Sequence, residues 1–409
     1  MFSQEVTTEE AIRLESEYGA NNYHPLPVVL YKGEGVFLYD LERKKYYDFL
    51  SAYSAVNQGH CHPRIIRALT EQAARLALTS RAFYNDKLGI CEQYLCNYFG
   101  YEKAILSNSG AEAVETAIKI ARKWGYEIKG IPENKAKIVV AERNFHGRTT
   151  AIISASTDPL ARNNFGPFLP GFEIIPYNDL TALEKALKNP DVCAFLVEPV
   201  QGEAGVFVPD DGYLTGARQI CTGNEVLLIA DEIQTGVGRT GKMLACDHEN
   251  VRPDLLTLGK AVSGGVYPVS IVMADKIIMD VLRPGEHGST YGGNPIACAV
   301  TMEALQVVKD ENLVENAEKM GKLFRERMNL SAKKTSFIKE VRGKGLLNAI
   351  VINDKEDSQT AWNLCLKLKD NGLLAKPTHG NIIRFAPPLI INENQLLECC
   401  DIIEQSLIT

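Results

Sequence analysis

Short runs of consecutive apolar residues alternate with helical patterns through the middle of the chain. The runs lie at residues 138–140, 194–197, 226–230 and 269–272, and they are rich in Val, Ile and Leu. Strands that are apolar at every position are typical of a parallel sheet covered on both faces, whereas a half-exposed strand alternates polar and apolar positions. The pattern therefore predicts an α/β fold with a mainly parallel sheet.

The two ends of the chain show different patterns. Residues 7–18 predict a short helix, and residues 36–40 and 45–50 predict a hairpin of two strands. Beyond Pro295 longer helices are followed by short strands and a last helix, which is typical of a smaller α+β domain. We expect an N-terminal segment that packs with the small domain, then a large domain and the small domain, over residues 1–50, 51–295 and 296–409.

Composition and charge exclude several classes of protein. The chain has 409 residues, of which 45% are hydrophobic and 23% charged, and its formal net charge is -7 at pH 7. An acidic chain gives no electrostatic reason to expect nucleic acid, and no apolar segment predicts a membrane span. The acidic start at residues 1–10 lacks the features of a secretion signal or a mitochondrial presequence. We therefore expect a cytoplasmic protein that acts on small molecules.

The cysteines and histidines do not form a metal-binding pattern. The 10 cysteines are scattered without a Cys-x-x-Cys pair, which favours reduced thiols in a chain of this length. His60, Cys61 and His62 are adjacent, but neighbouring side chains point in different directions and no second cluster supplies further ligands. We interpret them as a turn before Pro63 and predict no metal site.

Polar residues that follow apolar runs are candidate site residues, because an open parallel sheet binds ligands at the carboxyl ends of its strands. Residues 107–112 lead into a helical pattern whose small residues, Gly110 and Ala111, would let backbone N–H groups reach a phosphate. An ordinary helix cap is the alternative. Asp231 ends another run and could hold a proton on a pyridine nitrogen, with Gln234 offering its amide to a phenolic oxygen. A turn carboxylate is the alternative there.

Lys260 is the candidate for a reactive group. It follows the apolar run at residues 255–258, and small residues come directly after it. An ammonium group at the end of a buried strand loses hydration, which lowers its pKa, and a deprotonated amine can attack an aldehyde. The alternative is a lysine that marks the end of the strand and points into water.

Several charged residues lie in aromatic or apolar surroundings. Phe145, His146 and Arg148 follow a predicted strand, where the rings could stack on a flat ligand and the guanidinium could bind a carboxylate. An exposed arginine is the usual alternative. Glu203 lies among small residues, and Arg384 is flanked by apolar residues. A charge in such surroundings normally needs a partner.

Residues 236–243 form a rival motif. They satisfy Gly-x-Gly-x-x-Gly and nearly match the phosphate loop of nucleotide hydrolases, so an NAD enzyme or an ATPase is an alternative. However, Met243 stands where the phosphate loop needs Ser or Thr to hold magnesium, and a dinucleotide loop would follow its strand directly and open a helix. We interpret residues 236–242 as a loop without a nucleotide.

Six stretches together resemble the fold-type I pyridoxal-phosphate enzymes, specifically the class III aminotransferases that act on ω-amino groups. They follow the order typical of that family over nearly the whole chain, at residues 109–113, 145–148, 198–203, 231–236, 257–260 and 289–295. The resemblance implies a mainly parallel seven-stranded sheet covered by helices, a smaller α+β domain and pyridoxal 5'-phosphate as cofactor.

The resemblance also implies roles for the residues around the cofactor ring. Lys260 would join covalently to the cofactor aldehyde and transfer protons, Asp231 would pair with the pyridinium nitrogen, and Gln234 would contact the phenolic oxygen. Phe145 would stack on the ring with His146 beside it. His146 is a departure, since animal members of the group carry tryptophan there, and we expect the difference to affect packing more than chemistry.

The cofactor phosphate is expected between two subunits. Gly110 and Ala111 would hold it from one subunit, while Ser289 and Thr290 belong to a motif at the same phosphate, with Thr290 reaching it from the neighbouring subunit. The resemblance therefore implies a homodimer or a larger assembly with shared active sites.

Within the subgroup, four further stretches resemble ornithine aminotransferases, at residues 23–27, 51–60, 79–85 and 372–378. The implied reaction transfers the δ-amino group of L-ornithine to 2-oxoglutarate in a ping-pong cycle. Its products are glutamate and glutamate 5-semialdehyde, which cyclises to pyrroline-5-carboxylate. Acetylornithine and 4-aminobutyrate aminotransferases share the six motifs and are the alternatives.

Two arginines would let one site handle both substrates. By resemblance, Arg148 would bind the far carboxylate of ornithine, with Tyr23 and Tyr53 lining that end and favouring free ornithine. Arg384 would bind the carboxylate of 2-oxoglutarate nearest the reacting carbon. While ornithine is bound, Glu203 would neutralise Arg384, and it would swing aside for the keto acid.

Overall fold

The structure, a computed structural model, describes residues 6–408, so half of the acidic stretch at residues 1–10 lies outside the described part. Its helices are α1 Thr8–Tyr18, α2 Ser51–Ser54, α3 Pro63–Arg75, α4 Leu88–Phe99, α5 Gly110–Glu127, α6 Thr150–Ile153, α7 Pro159–Arg162, α8 Leu180–Leu187, α9 Tyr213–Gly223, α10 Lys276–Met279, α11 Pro295–Asp310, α12 Leu313–Ala332, α13 Thr360–Asp370 and α14 Glu393–Ile408. Two short 3-10 helices span Ala245–Glu249 and Lys260–Ser263. Of the helices within residues 6–408, none combines the length and the apolar character needed to cross a membrane.

The strands are β1 Leu30–Glu34, β2 Phe37–Asp40, β3 Lys45–Asp48, β4 Lys103–Ser107, β5 Lys137–Ala141, β6 Phe172–Ile175, β7 Val192–Val197, β8 Leu227–Asp231, β9 Leu255–Leu258, β10 Ser270–Ala274, β11 Ile338–Lys344, β12 Leu347–Ile352, β13 Leu373–Leu374, β14 Lys376–His379 and β15 Ile382–Phe385. They form one large sheet and two smaller ones.

The large sheet has seven strands in the order β4-β10-β9-β8-β7-β5-β6. The strands β9, β8, β7, β5 and β6 are parallel to one another, and β10 is antiparallel to both of its neighbours, β4 and β9. Ile138 and Leu196 pack in one core with α5, whereas the adjacent Val139 and Phe195 pack in another with α8 and α9. Both faces are therefore buried, which explains why these strands are apolar at every position. The predicted α/β fold with a mainly parallel seven-stranded sheet is confirmed.

The two smaller sheets have the orders β1-β2-β3-β13 and β11-β12-β15-β14. The predicted hairpin corresponds to β2 and β3, and the predicted first helix is α1, whose N-cap Thr7 accepts a hydrogen bond from Glu10 N at 3.2 Å. Strand β13 pairs in parallel with β3. A short strand from the C-terminal part of the chain therefore completes the sheet that begins near the N-terminus.

The adjacent histidines at the predicted turn are paired with acids. His60 Nε2 lies 2.7 Å from Asp48 Oδ2, and His62 Nε2 lies 2.9 Å from Glu311 Oε1. The two imidazoles thus tie the turn to β3 and to the residue that follows α11. Among residues 6–408, no group of three or more His, Cys, Asp or Glu side chains is arranged to hold a metal ion.

The turn between β11 and β12 of the small C-terminal sheet packs on the loop that follows β8, at a point where three backbone segments touch. Gly345, in the turn between β11 and β12, has φ +52°, and a Cβ atom there would lie 2.2 Å from the carbonyl carbon of Thr240. A Cβ atom at Gly321 on α12 would lie 1.7 Å from Gly345 O. Leu346 N also donates to Arg239 O at 3.0 Å. The position of β12 and β15 relative to the large sheet depends on this contact.

We expect Gly321→Ala to destabilise the protein by about 3 kcal/mol or more, because the added methyl group would overlap backbone atoms that cannot move independently. The urea midpoint of unfolding measures this effect. Gly223→Ala at the end of α9 is the matched control, since no atom lies within 4 Å of its Cβ position. That variant should be unchanged or up to about 1 kcal/mol more stable. Equal midpoints for both variants would contradict the close contact.

Candidate active site

A cavity of about 170 Å³ lies at the carboxyl ends of β5, β7, β8 and β9. Its wall brings together most of the residues predicted to bind a cofactor, and it also includes residues that the sequence did not single out. The lining residues are Gly110, Ala111, Phe145, His146, Gly147, Glu198, Glu203, Asp231, Ile233, Gln234 and Lys260.

Lys260 follows the buried strand β9 and has an unusual backbone conformation. Its φ is +46°, in the left-handed region that residues with a side chain rarely adopt. Such strain is typical of functional sites, where the surrounding structure must hold it. Burial and the nearby Arg384 guanidinium lower the pKa of Lys260 to about 8, although the carboxylates around the cavity oppose them. The amine therefore exchanges its proton close to neutral pH, as expected for a reactive lysine.

Asp231, at the end of β8, is paired with His146. Asp231 Oδ2 lies 2.6 Å from His146 Nδ1, and both side chains are buried. Burial by itself would lower the pKa of His146, but the hydrogen bond and the charge of Asp231 outweigh it and raise that pKa. The residue at position 146 therefore changes the electrostatics of the site and not only its packing, which the sequence did not lead us to expect.

Glu198 belongs to a recognised motif, but sequence reasoning did not assign it a role. It directly follows β7, and its Oε1 accepts a hydrogen bond from Phe145 N at 2.8 Å. Burial raises the pKa of Glu198 to about 7, with the imidazole of His146 opposing this shift and the charge of Asp231 adding to it. The position of Glu198 directly after a fully apolar strand was a signal in the sequence. Only the fold reveals that the buried carboxylate of Asp231 lies nearby.

The start of α5 has the capping box expected from the sequence. Ser109 Oγ accepts a hydrogen bond from Glu112 N at 3.3 Å, and Glu112 Oε2 accepts one from Ser109 N at 2.8 Å. Gly110 and Ala111 therefore begin the helix at the positive end of its dipole, facing the cavity. A Cβ atom at Gly110 would lie 3.1 Å from the side chain of Ile233, so the glycine also permits close packing on the segment after β8.

The motif at residues 289–295 lies at the edge of this helix start. Ser289 Oγ accepts a hydrogen bond from Asn108 Nδ2 at 2.8 Å, which ties the motif to the segment before α5. Thr290 is exposed and does not line the cavity of its own chain. Its contact with the phosphate of a neighbouring subunit stays a prediction.

Arg384 on β15 is buried, with only 2% of its surface exposed. Its Nη1 lies 3.0 Å from Glu203 Oε2 and 3.3 Å from Gln234 Oε1, and its guanidinium carbon lies 5.1 Å from the centre of the Tyr53 ring. Burial would raise the pKa of Glu203, but the charge and the hydrogen bond of Arg384 lower it overall. The two charges that the resemblance paired are thus in contact.

Tyr53 is held by a left-handed turn. All four residues of α2 have positive φ, from +46° to +72°. Left-handed helical backbone costs about 1–2 kcal/mol per residue, so the surroundings must hold it. Asp48 Oδ1 anchors the start of the turn by accepting hydrogen bonds from Leu50 N and Ser51 N at 2.8 and 2.9 Å. The turn holds the Tyr53 ring against the Arg384 guanidinium.

Of the five residues predicted to bind substrate, Glu203 lines the cavity, whereas Tyr53 and Arg384, described above, and two others do not. Tyr23 is 64% exposed, and its ring centre lies 5.7 Å from Lys376 Nζ. Arg148 is exposed, and its guanidinium carbon lies 5.6 Å from the centre of the Phe145 ring. The charge of Arg148 nevertheless helps to lower the pKa of Glu203. In a single chain, the side chains of Tyr23 and Arg148 therefore lie near the cavity but do not form part of its wall.

The glycine-rich loop at residues 236–241 is buried throughout. Arg239 is fully buried and donates hydrogen bonds to Leu346 O at 3.0 Å, Pro387 O at 2.6 Å and Asn57 Oδ1 at 2.5 Å. The loop thus joins separate parts of the fold and does not open to a ligand. Interpreting it as a loop without a nucleotide agrees with this packing, but the sequence did not indicate that its arginine is buried.

Comparison with known proteins identifies the family. Residues 18–407 match the aminotransferase class-III family. Ornithine aminotransferase, mitochondrial, from Drosophila ananassae is 60% identical over 402 residues, which cover 98% of this chain and 92% of that protein. The resemblance to ornithine aminotransferases is therefore confirmed.

Solved structures extend the comparison. An acetylornithine aminotransferase from Elizabethkingia anophelis has a TM-score of 0.92 and 64% sequence identity, covering 98% of this chain and 99% of that one. The ornithine aminotransferase from Toxoplasma gondii has a TM-score of 0.97 and 50% identity, covering 98% and 94%, and its structure reveals partial occupancy of pyridoxal phosphate at the active site. With this match along almost its whole length, the chain belongs to the class-III aminotransferases, a family of pyridoxal-phosphate enzymes.

Proposed function

We propose that the protein is an ornithine δ-aminotransferase. It would transfer the δ-amino group of L-ornithine to 2-oxoglutarate, giving glutamate and glutamate 5-semialdehyde, which cyclises to pyrroline-5-carboxylate and would serve proline biosynthesis and arginine metabolism. The observation that supports this best is the buried Arg384, neutralised by Glu203 at the wall of the cavity. An arginine that can be paired or released suits two substrates that differ in whether a carboxylate lies next to the reacting carbon.

The chemistry of the cavity fits pyridoxal phosphate, since an amine, a carboxylate, an amide and a helix start face one space. When bound, the cofactor supplies a ring that withdraws electrons from the substrate carbon. Lys260 would hold its aldehyde, Asp231 its ring nitrogen and Gln234 its phenolic oxygen. Phe145 and His146 would lie beside the ring. Gly110 and Ala111 of one subunit and Thr290 of the neighbouring subunit would contact the phosphate, and Ser289 belongs to the same phosphate motif.

Lys260 Nζ is the group that would move the proton. Burial and the Arg384 charge lower its pKa to about 8, so the amine can exchange a proton near neutral pH. It can therefore accept a proton from the substrate carbon and return it, as a general base and then a general acid. Asp231, which His146 holds at 2.6 Å, would keep a proton on the ring nitrogen.

The two arginines would select the nitrogen that reacts. Arg148 would bind the far carboxylate of ornithine, and Tyr23 and Tyr53 would line that end. With ornithine bound at its δ-amine, Glu203 would stay on Arg384 and neutralise it. When 2-oxoglutarate enters, its carboxylate would replace Glu203, whose side chain is 32% exposed and so has room to move.

We further infer that Glu198 carries a proton for part of the time at neutral pH. Glu198 and Asp231 are both buried, and the charge of Asp231 disfavours a charge on Glu198. A proton on Glu198 would relieve this repulsion and leave the negative charge on Asp231, where the ring nitrogen needs it. Glu198 would thus act as a positioning residue.

A second subunit would complete the site. The exposed Thr290 and the large exposed side chains of Phe83, Tyr84 and Tyr291, with 70%, 100% and 52% of their surface accessible in one chain, support a homodimer or a larger assembly. The division into an N-terminal segment, a large domain and a small domain also stays a proposal, supported by the pairing of β3 with β13. The cytoplasmic location stays a prediction.

Acetylornithine aminotransferase is the second candidate, because a structure of that name is 64% identical to this chain. The two activities use the same δ-amine and differ at the α-nitrogen, which is a charged ammonium in ornithine and a neutral amide in acetylornithine. The far end of the site, near Tyr23 and Tyr53, would decide between them.

We expect the holoenzyme to form pyrroline-5-carboxylate from ornithine and 2-oxoglutarate, trapped with 2-aminobenzaldehyde, and to prefer ornithine to acetylornithine in kcat/KM. Lys260→Ala should lose at least about three orders of magnitude in rate, because no other group transfers the proton. The matched control is Lys242→Ala in the glycine-rich loop, which should keep full activity. Equal product from Lys260→Ala would refute the mechanism, and a preference for acetylornithine would favour the second candidate.

We expect Glu203→Ala to raise kcat/KM for an α-amino donor such as L-alanine relative to ornithine, on the order of tenfold or more. Without Glu203, Arg384 is free to bind an α-carboxylate next to the reacting carbon. Glu203→Gln keeps the size of the side chain but not the charge, and it should shift the ratio in the same direction. An unchanged ratio in both variants would sink the proposed switch.

We expect Glu198→Gln to stabilise the protein at high pH but not at low pH. The pKa of Glu198 rises from 4.5 to about 7 on folding, so the folded chain alone holds this proton between those values. Wild-type stability from this group is therefore lost as pH rises through that window, by up to about 3 kcal/mol, whereas the amide is neutral throughout. Urea unfolding of both proteins, in the same cofactor state, should give a difference that grows from about pH 5 to about pH 8. A constant difference would contradict the shift.

A further inference from the structure

Gln234 contacts the carboxylate site as well as the cofactor cavity. Its Oε1 accepts a hydrogen bond from Arg384 Nη1 at 3.3 Å, and the same nitrogen donates to Glu203 Oε2 at 3.0 Å. Gln234 is 8% exposed and lines the cavity beside Lys260. One amide side chain therefore joins the arginine that would receive carboxylates to the wall that would face the ring.

Gly202 determines where this amide can lie. A Cβ atom at residue 202 would lie 1.5 Å from Gln234 Oε1 and 2.6 Å from its Cδ. The φ of Gly202 lies outside the left-handed region, so the backbone itself does not require glycine. The absence of a side chain at residue 202 is what gives Gln234 its space.

The loop that carries Gly202 is held on both sides. Its ends, Gln201 and Phe207, exchange backbone hydrogen bonds of 3.0 and 2.9 Å. Arg342 Nε donates to Gly205 O at 2.9 Å from the small C-terminal sheet. These contacts fix Gly202 and so the space that the Gln234 side chain fills, and within that space the amide oxygen accepts a hydrogen bond from Arg384.

We propose that Gln234 couples the carboxylate site to the cofactor ring, as a positioning residue that responds to whether Arg384 holds a substrate carboxylate. The proposal rests on the proposed function. Glu203 and Gln234 share one nitrogen of Arg384, so a carboxylate that takes this nitrogen competes with both acceptors. The amide oxygen is then released, and the amide N–H groups are no longer held towards the phenolic oxygen.

The phenolic oxygen of the cofactor would therefore bind a proton with different affinity in the two half-reactions. With ornithine bound, Arg384 would stay paired, and Gln234 would donate to the phenolic oxygen and favour its deprotonated form. With a keto acid on Arg384, Gln234 would donate less, which would favour the protonated form. Since coupling between binding events is reciprocal, the affinity for a dicarboxylate must depend on pH over the same range in which the ring titrates.

The test follows the near-visible absorption of the bound cofactor in the holoenzyme while pH is varied, with and without glutarate. Glutarate is a dicarboxylate without a keto group, so it binds without reacting. In the wild type, glutarate should raise the midpoint of this titration. Without glutarate, the midpoint of Gln234→Leu should be higher than that of the wild type. The shift caused by glutarate should fall to less than half of the wild-type shift.

Gly202→Ala tests the clearance, because the added methyl group would meet the side chain of Gln234 while Gln234 itself stays unsubstituted. It should displace the amide and reproduce the reduced glutarate shift of Gln234→Leu, while Gly223→Ala should behave as the wild type. If Gly202→Ala does not fold, Gln234→Leu still decides the matter. Equal glutarate shifts in the wild type and in Gln234→Leu would overturn the coupling, because the charge of glutarate alone would then explain them.

Ornithine turnover measured on the same samples separates this proposal from the proposed function. A wild type that converts ornithine but responds to glutarate as Gln234→Leu does would overturn the coupling alone. A wild type that converts ornithine but shows no titrating cofactor band would also overturn the coupling alone. A wild type with neither a titrating band nor ornithine turnover would overturn both. A reduced shift in both variants, together with ornithine turnover by the wild type, would support both.

Discussion

The ion pair between Arg384 and Glu203 is the interaction on which the rest of the site depends. A guanidinium that is 2% exposed loses nearly all of its hydration, and such a charge is tolerated only with a partner. Its partner comes from a different part of the fold, since Arg384 lies on β15 of the small sheet and Glu203 lies in the loop after β7. The pair therefore requires the small sheet to be positioned accurately on the large one.

That position is fixed away from the pair. Arg239 donates to Pro387 O, three residues beyond Arg384, and the contact between Gly321 and Gly345 leaves no space for a side chain. Because β15 is held in this way, the Arg384 guanidinium reaches both Gln234 and Tyr53. The glycine-rich loop at residues 236–241, whose sequence resembles a nucleotide site, thus carries the arginine that helps to hold β15 in place.

Electrostatics links this pair to the reactive lysine. Burial and, after it, the Arg384 charge lower the pKa of Lys260, while Glu203, Asp231 and Glu198 limit that shift. Any change that unpairs Arg384 therefore also alters the lysine that would transfer the proton. Selection of the substrate and reactivity of the amine depend on the same small group of charges.

Sequence patterns predicted the sheet, Lys260, Asp231 and the start of α5, because each of them follows from an apolar run and the residue that ends it. The left-handed turn of α2 and the burial of Arg239 could not be predicted in this way. They depend on contacts between distant segments, such as Asn57 with Arg239. The pairing of His146 with Asp231 was missed for the same reason, since β5 and β8 are brought together only by the sheet.

The central claim is that the Arg384–Glu203 pair directs the δ-amine, and not the α-amine, of ornithine to Lys260. The most direct measurement is transamination of 2-oxoglutarate with ornithine that carries a heavy nitrogen isotope at either the δ- or the α-position, followed by mass spectrometry of the glutamate formed. The account predicts that the wild type labels glutamate from the δ-labelled ornithine alone, whereas Glu203→Ala also labels it from the α-labelled one. Label transferred equally from both positions by the wild type, or from the δ-position alone by both proteins, would contradict it.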